Sequence, residues 1–591
     1  MKNFLKTFFA LLLANVVLVA ILFVFLAAFG ASMKAGKKAE VEDESYLVID
    51  IYGDVLAYDP PESFPESLIG DKPETLHRIL SNLEKARVDD RIKGVLFKVS
   101  SHNGLGLAMI EEIRGEIGKL RGEGKPVYVY SDGLDRRSMF LAAACDSIFI
   151  APAGELYYVG FGLVTNYIKG TLEKLDIDAH LHRIKDYKSA AEVITRKNMS
   201  PEAREMRLWI MEDLWRAEMA AVTRDLAISE DTLIEHMEYA IFTAEEAREA
   251  GFVDGILYWD QLKDWLKGDD DEKLETVSQS AYAKVTRESV GLKGKKRIAV
   301  IHAHGLIGGR KSRIDPIFGM VMGHETVAEN LRKAGEDDKV AAVVFRVDSG
   351  GGESLASDHI GHAVEEVAAK KPVIVSMIDV AASGGYSISY RATKIMADQM
   401  TITGSIGSIS GKFTTTGFYN KLGITFDYVG LGPNAFLLSE QTGFTKQQRE
   451  RFEDNHWKSF NRWLEDVADR RGMTFEEAEL LAHGRVWTGT QAKENGLIDE
   501  VGGLYRAIEL AKEEAGIDAG EEVALVHYPK RKGLLATITS GNSPLSAAFR
   551  WALYRFIRED LSESYRLLTT AAVNTWTEQA QGVGASGGGD R

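Results

Sequence analysis

A serine hydroxyl becomes a useful nucleophile when a base takes its proton and backbone N–H groups wait for the oxyanion that follows. In VIVSMIDVAASGGYSIS, Ser383 ends an apolar run and precedes Gly384 and Gly385, which let a substrate approach the backbone closely; Tyr386 begins a helix-like stretch. A serine at such an amino-terminal turn has oriented N–H groups beside it. A second strand-end run, RVDSGGGES, brings Gly350, Gly351 and Gly352, whose unobstructed amides suit an oxyanion pocket. Taken alone, both glycine runs also read as tight turns. The base candidate is Lys188 in RIKDYKSAAEV. A lysine with the reference pKa of about 10.4 is only about 0.04% neutral at pH 7. Bringing it into range requires about 4 kcal/mol, which burial away from water can supply.

The elements that must position these groups occur twice. DDRIKGVLFKVSS from Asp89 recurs as DDKVAAVVFRVDS from Asp337, an offset of 248 residues with the same apolar pattern. Lys125-Pro126 answers Lys371-Pro372, the run from Ile177 to Arg183 answers that from Ile424 to Gly430, and AIFTAEEAREAGFVDG from Ala240 answers RVWTGTQAKENGLIDE from Arg485. Against this register Ser383 faces about Arg137, and Lys188 faces about Ala435. Each copy therefore holds one member of a Ser/Lys pair and lacks the other. Strand-like runs (YLVIDIYG, RIAVIHAHG, GVLFKV, AVVFRV) alternate with amphipathic helical stretches, which predicts an α/β fold of tandem duplicated domains with largely parallel sheets. The expected boundaries are an anchor over 1–40, a first copy over 46–265 carrying Lys188, a linker over 266–295, a second copy over 296–512 carrying Ser383, and an extension over 513–591 with a disordered tail.

Composition narrows the partners. A net charge of −16 argues against nucleic acid, whose phosphates need clustered Lys and Arg, and the 45% apolar, 27% charged content is that of globular domains. The single cysteine, Cys145, cannot form an internal disulfide and reads as a small buried residue. From Phe8 to Ala31 there are 24 residues without a charge, enough at about 1.5 Å per residue to span a hydrocarbon layer of about 30 Å. A single-pass anchor is expected rather than a cleaved signal, although lysines on both flanks leave its orientation unspecified. His302 with His304, and His359 with His362, share faces at strand and helix spacing, but no third ligand is marked, so no metal site and no cofactor is expected. The tail's literal G-x-S-x-G, Gly584 to Gly588, lacks the strand-to-helix setting that motif needs.

Together AASGGY with Ser383, TGSIGSI from Thr403, YKSA with Lys188, NMSPEARE from Asn198 and GRVWTGTQAKENGLIDEVGG from Gly484 resemble the long, duplicated members of the signal peptide peptidase A family, Ser/Lys peptidases of family S49 with a ClpP/crotonase-like fold. The resemblance implies Ser383 as nucleophile, Lys188 as general base, Ser405 bonded to the lysine, and Gly351, Gly352 and Gly384 around the oxyanion. It also implies a homotetramer tethered by one helix to the inner (cytoplasmic) membrane, its catalytic domain on the periplasmic or outer side, degrading cleaved signal peptides and other short apolar peptides at the lipid bilayer. Where the family usually has Ser-Pro-Gly-Gly, this chain has Ser349-Gly350-Gly351-Gly352 and then Glu353, which loosens the loop. Two other readings of such a fold are an acyl-CoA-binding enzyme and a catalytically idle membrane scaffold.

Overall fold

The apolar runs that open each copy become central strands of two largely parallel sheets. The computed structural model describes residues 41–59, 74–268, 273–315 and 317–529, so the expected anchor and the glycine-rich tail lie outside the described residues. Among the described residues no helix is long and apolar enough to cross a membrane.

The principal strands of the first copy are β1 (Ser45–Gly53), β2 (Ile92–Asn103), β3 (Val127–Ser131), β4 (Ser147–Ile150), β5 (Asp178–Arg183), β6 (Gly255–Ile256) and β7 (Thr276–Ser278). All but β5 join one parallel sheet in the order β6-β4-β3-β2-β1-β7. In the second copy β8 (Arg297–His304), β9 (Val340–Ser349), β10 (Val373–Ala382), β11 (Lys394–Ala397), β12 (Ile402–Gly404), β13 (Ile409–Thr414), β14 (Val486–Thr488), β15 (Glu500–Val501) and β16 (Ala524–Tyr528) follow. Their sheet runs β14-β12-β10-β9-β8-β16, with β11 and β15 branching from β10.

Helices repeat with the strands. In the first copy α1 (Leu76–Val88), α2 (Leu107–Gly122) and α3 (Pro201–Leu226) answer α4 (His324–Glu336), α5 (Ser354–Ala368) and α6 (Lys446–Arg471) in the second. The long excursions α3 and α6 are both 26 residues. Each starts at a residue that fits a helix entry. Ser200 accepts from the Ala203 N–H with Pro201 in the first turn, and Thr445 forms a reciprocal box with Gln448.

Two expected boundaries move. The 266–295 stretch, read as linker, supplies β7 to the edge of the first sheet, and the extension beyond 513 supplies β16 to the edge of the second. Thr276 and Ala524, which begin these strands, stand at the same 248-residue offset, so the duplicated unit runs through both segments. TVS and ALVHY are too short to announce strands by alternation; the free backbone groups along the edges of β1 and β8 recruit them.

The copies share a core. Val300, Val344 and Ile374 on one face of the second sheet pack in the same cluster as Leu47, Ile49 and Phe97, while Ile301, Val343 and Phe345 on its other face pack with Leu331 and Ile360 of α4 and α5. At the seam the Asp379 carboxylate caps α2, accepting from Ala108 and Met109 N–H at 3.0 and 3.3 Å, and buried Glu112 pairs with Arg346 at 2.9 Å. Removing either partner of that pair would leave an uncompensated buried charge at the seam. Cys145 is buried, and its thiol is pushed up to about 12 by desolvation. It is inert.

Candidate active site

Ser383 owes its position to a fork. Ile374 to Met377 of β10 pair with β11, whereas Val380 to Ala382 pair with β12, so the strand changes neighbour just before the serine. The Ser383 N–H donates to Gly404 O at 2.8 Å, and the residue holds φ 57° and ψ −114°, a conformation costly for a residue with a side chain. The following turn is anchored by Tyr386, whose buried hydroxyl donates to Leu497 O at 2.9 Å. Gly351 backs the serine at φ +105°; a Cβ there would sit 2.9 Å from Ser383 Cβ and 2.7 Å from Gly384 N. Only glycine fits.

Lys188 arrives from the other copy. Strand β5 leaves the first sheet and pairs antiparallel with β13, from Arg183 opposite Ile409 to Asp178 opposite Thr414, and the Ile184 N–H extends the ladder to Ser408 O at 2.9 Å. Four residues later the Lys188 Nζ lies 2.9 Å from Ser383 Oγ, 2.8 Å from Ser405 Oγ and 2.8 Å from Ser405 O. The pair meets within one chain. Lys188 is 6% exposed, and burial lowers its pKa to about 7 with no carboxylate contributing. A neutral amine has two N–H bonds and one lone pair. With Ser405 O and Ser405 Oγ taking the donors, the lone pair is left for the Ser383 hydroxyl.

The glycine loop divides its amides. Ser349 Oγ donates to Gly305 O at 2.6 Å and accepts from Gly351 N–H at 3.2 Å, while Ile307 N–H donates to Gly351 O and Ile307 O accepts from Glu353 N–H. Among the described residues the Gly352 and Gly384 N–H groups have no acceptor, and they adjoin the serine. Gly350, standing where the family motif has proline, is exposed, and a Cβ there would meet nothing within 4 Å. Glu353 is exposed and ties the loop by accepting from Gly309 N–H at 3.1 Å.

In the first copy, the position matching Ser383 is built differently. Asp135 caps the helix there in an extended conformation and Arg137 donates to Leu105 O at 3.1 Å. The histidines do not pair as their sequence spacing would have them. His302 meets His527 rather than His304, and His359 stacks on His324. Sequence reasoning missed Gly484, at φ +82°, where a Cβ would lie 2.5 Å from Lys188 Cα and N. Its only sequence signal was its place at the head of GRVWTG.

A family model described as peptidase family S49 matches twice, over residues 119–273 and 365–518. A chloroplastic serine protease SPPA of Arabidopsis thaliana is 32% identical over 473 residues, covering 79% of this chain and 70% of that protein. A protease 4 of Haemophilus influenzae is 29% identical over 528 residues, covering 85% and 84%. A protein of Enterococcus faecium whose name proposes a signal peptide peptidase, SppA, is 34% identical over 194 residues, covering 32% of this chain and 56% of that one.

Proposed function

Because the chain belongs to peptidase family S49 and is a serine peptidase, we propose that its hydrolysis runs on Ser383 as nucleophile and Lys188 as general base. The observation that carries the reading is the 2.9 Å contact between Nζ and Oγ at a lysine whose pKa burial holds at about 7. Neutral Lys188 takes the Ser383 proton as Oγ attacks the peptide carbonyl, and the Gly352 and Gly384 N–H groups receive the oxyanion. The ammonium then gives its proton to the leaving amine. Water, deprotonated by the regenerated amine, releases the acyl group from the serine. An acyl-CoA-binding or idle-scaffold reading leaves the Lys188–Ser383 contact without a role.

The substrates proposed are short apolar peptides in extended form, cleaved signal peptides among them. Exposed Leu306 and Leu355 flank the Gly351–Glu353 loop and offer such chains apolar contact, and the name of the Enterococcus faecium relative points the same way. The proposed setting is a homotetramer on the outer side of the inner membrane, tethered to the bilayer by residues 8–31. Self-assembly has its own support. The segments that match β5 and β13 in the opposite copies, near 425–430 and 162–167, form no ladder among the described residues, and Val164 is 91% and Val429 94% exposed. Pairing one such segment with the other on a neighbouring chain is head-to-tail, an arrangement that gives a ring when the rotation between neighbours closes.

Detergent-solubilised protein should cleave a quenched, leucine- and alanine-rich peptide. Its kcat/KM should rise with pH through about 7 and level off above, because only neutral Lys188 is a base. Absence of turnover sinks the reading, and so does a profile abolished by replacing a histidine. Protease added to intact spheroplasts should remove the catalytic domain; protection until lysis overturns the proposed outer location and, with it, the signal-peptide substrates.

A further inference from the structure

His77, His302 and His527 come from three separate parts of the chain and converge. His77 sits in the first turn of α1, His302 in β8 and His527 in β16, and one ring nitrogen from each lies within 4.8 Å of the others. His302 Nε2 and His527 Nδ1 face each other at 3.1 Å. The His77 and His527 ring centroids are 4.1 Å apart, and Tyr58 stacks flat on His302 with centroids 3.7 Å apart, fixing that ring. Three imidazoles packed this tightly cannot all be cationic. The close His302–His527 contact requires that one of the two facing nitrogens is an unprotonated acceptor, so the pair already offers a lone pair at this point. Arg346, a cation that bears on His302, is neutralised by Glu112 at 2.9 Å.

We propose that His77, His302 and His527 form a binding site for a zinc ion, joining the first copy to strand β8 and the edge strand β16 of the second. Zinc bonds to imidazole at about 2.0–2.1 Å, which puts tetrahedral ligand nitrogens roughly 3.4 Å apart. The His302–His527 pair is already near that spacing, and a modest rotation of the partly exposed His77 brings in the third nitrogen. Three protein ligands leave the fourth position for water. No residue of this cluster belongs to the Ser383 site, so the metal's effect is on how β16 and α1 are held together.

The test uses the full chain in detergent, stripped with a chelator, dialysed and titrated with zinc alone. Expected are about one zinc per chain by elemental analysis and a rise in unfolding temperature on zinc addition. His77→Ala and His527→Ala should each weaken uptake by at least about tenfold and abolish that rise, whereas Ser383→Ala should bind zinc like the parent. His77 is partly exposed, so its variant keeps the test valid if His527→Ala fails to fold. Uptake well below one zinc per chain in the parent, or full uptake in folded His77→Ala, overturns the proposal.

Discussion

Ser383→Ala and Lys188→Ala are each expected to lower kcat/KM for an apolar peptide by at least about 10²-fold, with the double variant barely worse than either. The near-equality follows from geometry. In the proposed mechanism the hydroxyl of Ser383 and the amine of Lys188, 2.9 Å apart, serve one proton transfer, so removing either empties the same step. Lys188→Arg should be equally inactive despite keeping charge and length, since a guanidinium does not give up its proton in a protein. Ser405→Ala should cost less, about tenfold, because Ser405 O still holds the amine at 2.8 Å. Circular dichroism separates loss of chemistry from loss of fold. Retention of more than about a tenth of the activity in either single alanine variant would remove that residue from the assigned role.

The second large effect is expected from a residue that touches no reacting atom. Gly484→Ala places a methyl 2.5 Å from the Lys188 backbone at a φ of +82° that alanine resists. The relief open to the chain is to move the lysine-bearing loop outward. Displacement of a catalytic group by about 1 Å can cost about 10²-fold, so kcat should fall by roughly that factor while secondary structure and the melting transition persist. Gly350→Ala in the same assay is the contrasting case, because open space surrounds it, and its activity should stay close to the parent's. Parent-like turnover by Gly484→Ala would show that the lysine tolerates a shift this geometry forbids.

The two variants also mark what could be seen in the chain and what could not. The meeting of Ser383 and Lys188 was legible because the copies diverge there against a constant register, and the alternating strands and helices showed the parallel sheets. Gly484 was not, because a glycine's purpose lies in which backbone it must approach, and Lys188 is 296 positions away. The edge strands β7 and β16 were hidden for a related reason. Three to five residues carry too little periodicity, and their pairing is decided by sheet edges formed elsewhere. The seam residues Asp379 and Glu112 are ordinary acids in sequence. Burial against the opposite copy gives them their work, and it pushes Asp379 up to about 7. The histidine cluster failed to show in the same way. His302 was paired by spacing with His304, whereas its actual neighbours lie 225 residues ahead in sequence and on the far side of the duplication.

Lys188 also has a bearing on how firmly the chain is folded. In the unfolded chain this amine regains its ordinary pKa of 10.5, whereas in the native site burial holds it at about 7. Between those values the unfolded form carries a proton the native form has released, so native stability climbs as pH rises across that window. Below about 7 both forms are protonated, and the native state bears the full penalty of an ammonium without a counter-ion, on the order of 5 kcal/mol. An uncharged residue of similar volume at 188 escapes that penalty. On the proposed mechanism, selection for heat resistance and selection for turnover therefore pull this one position in opposite directions.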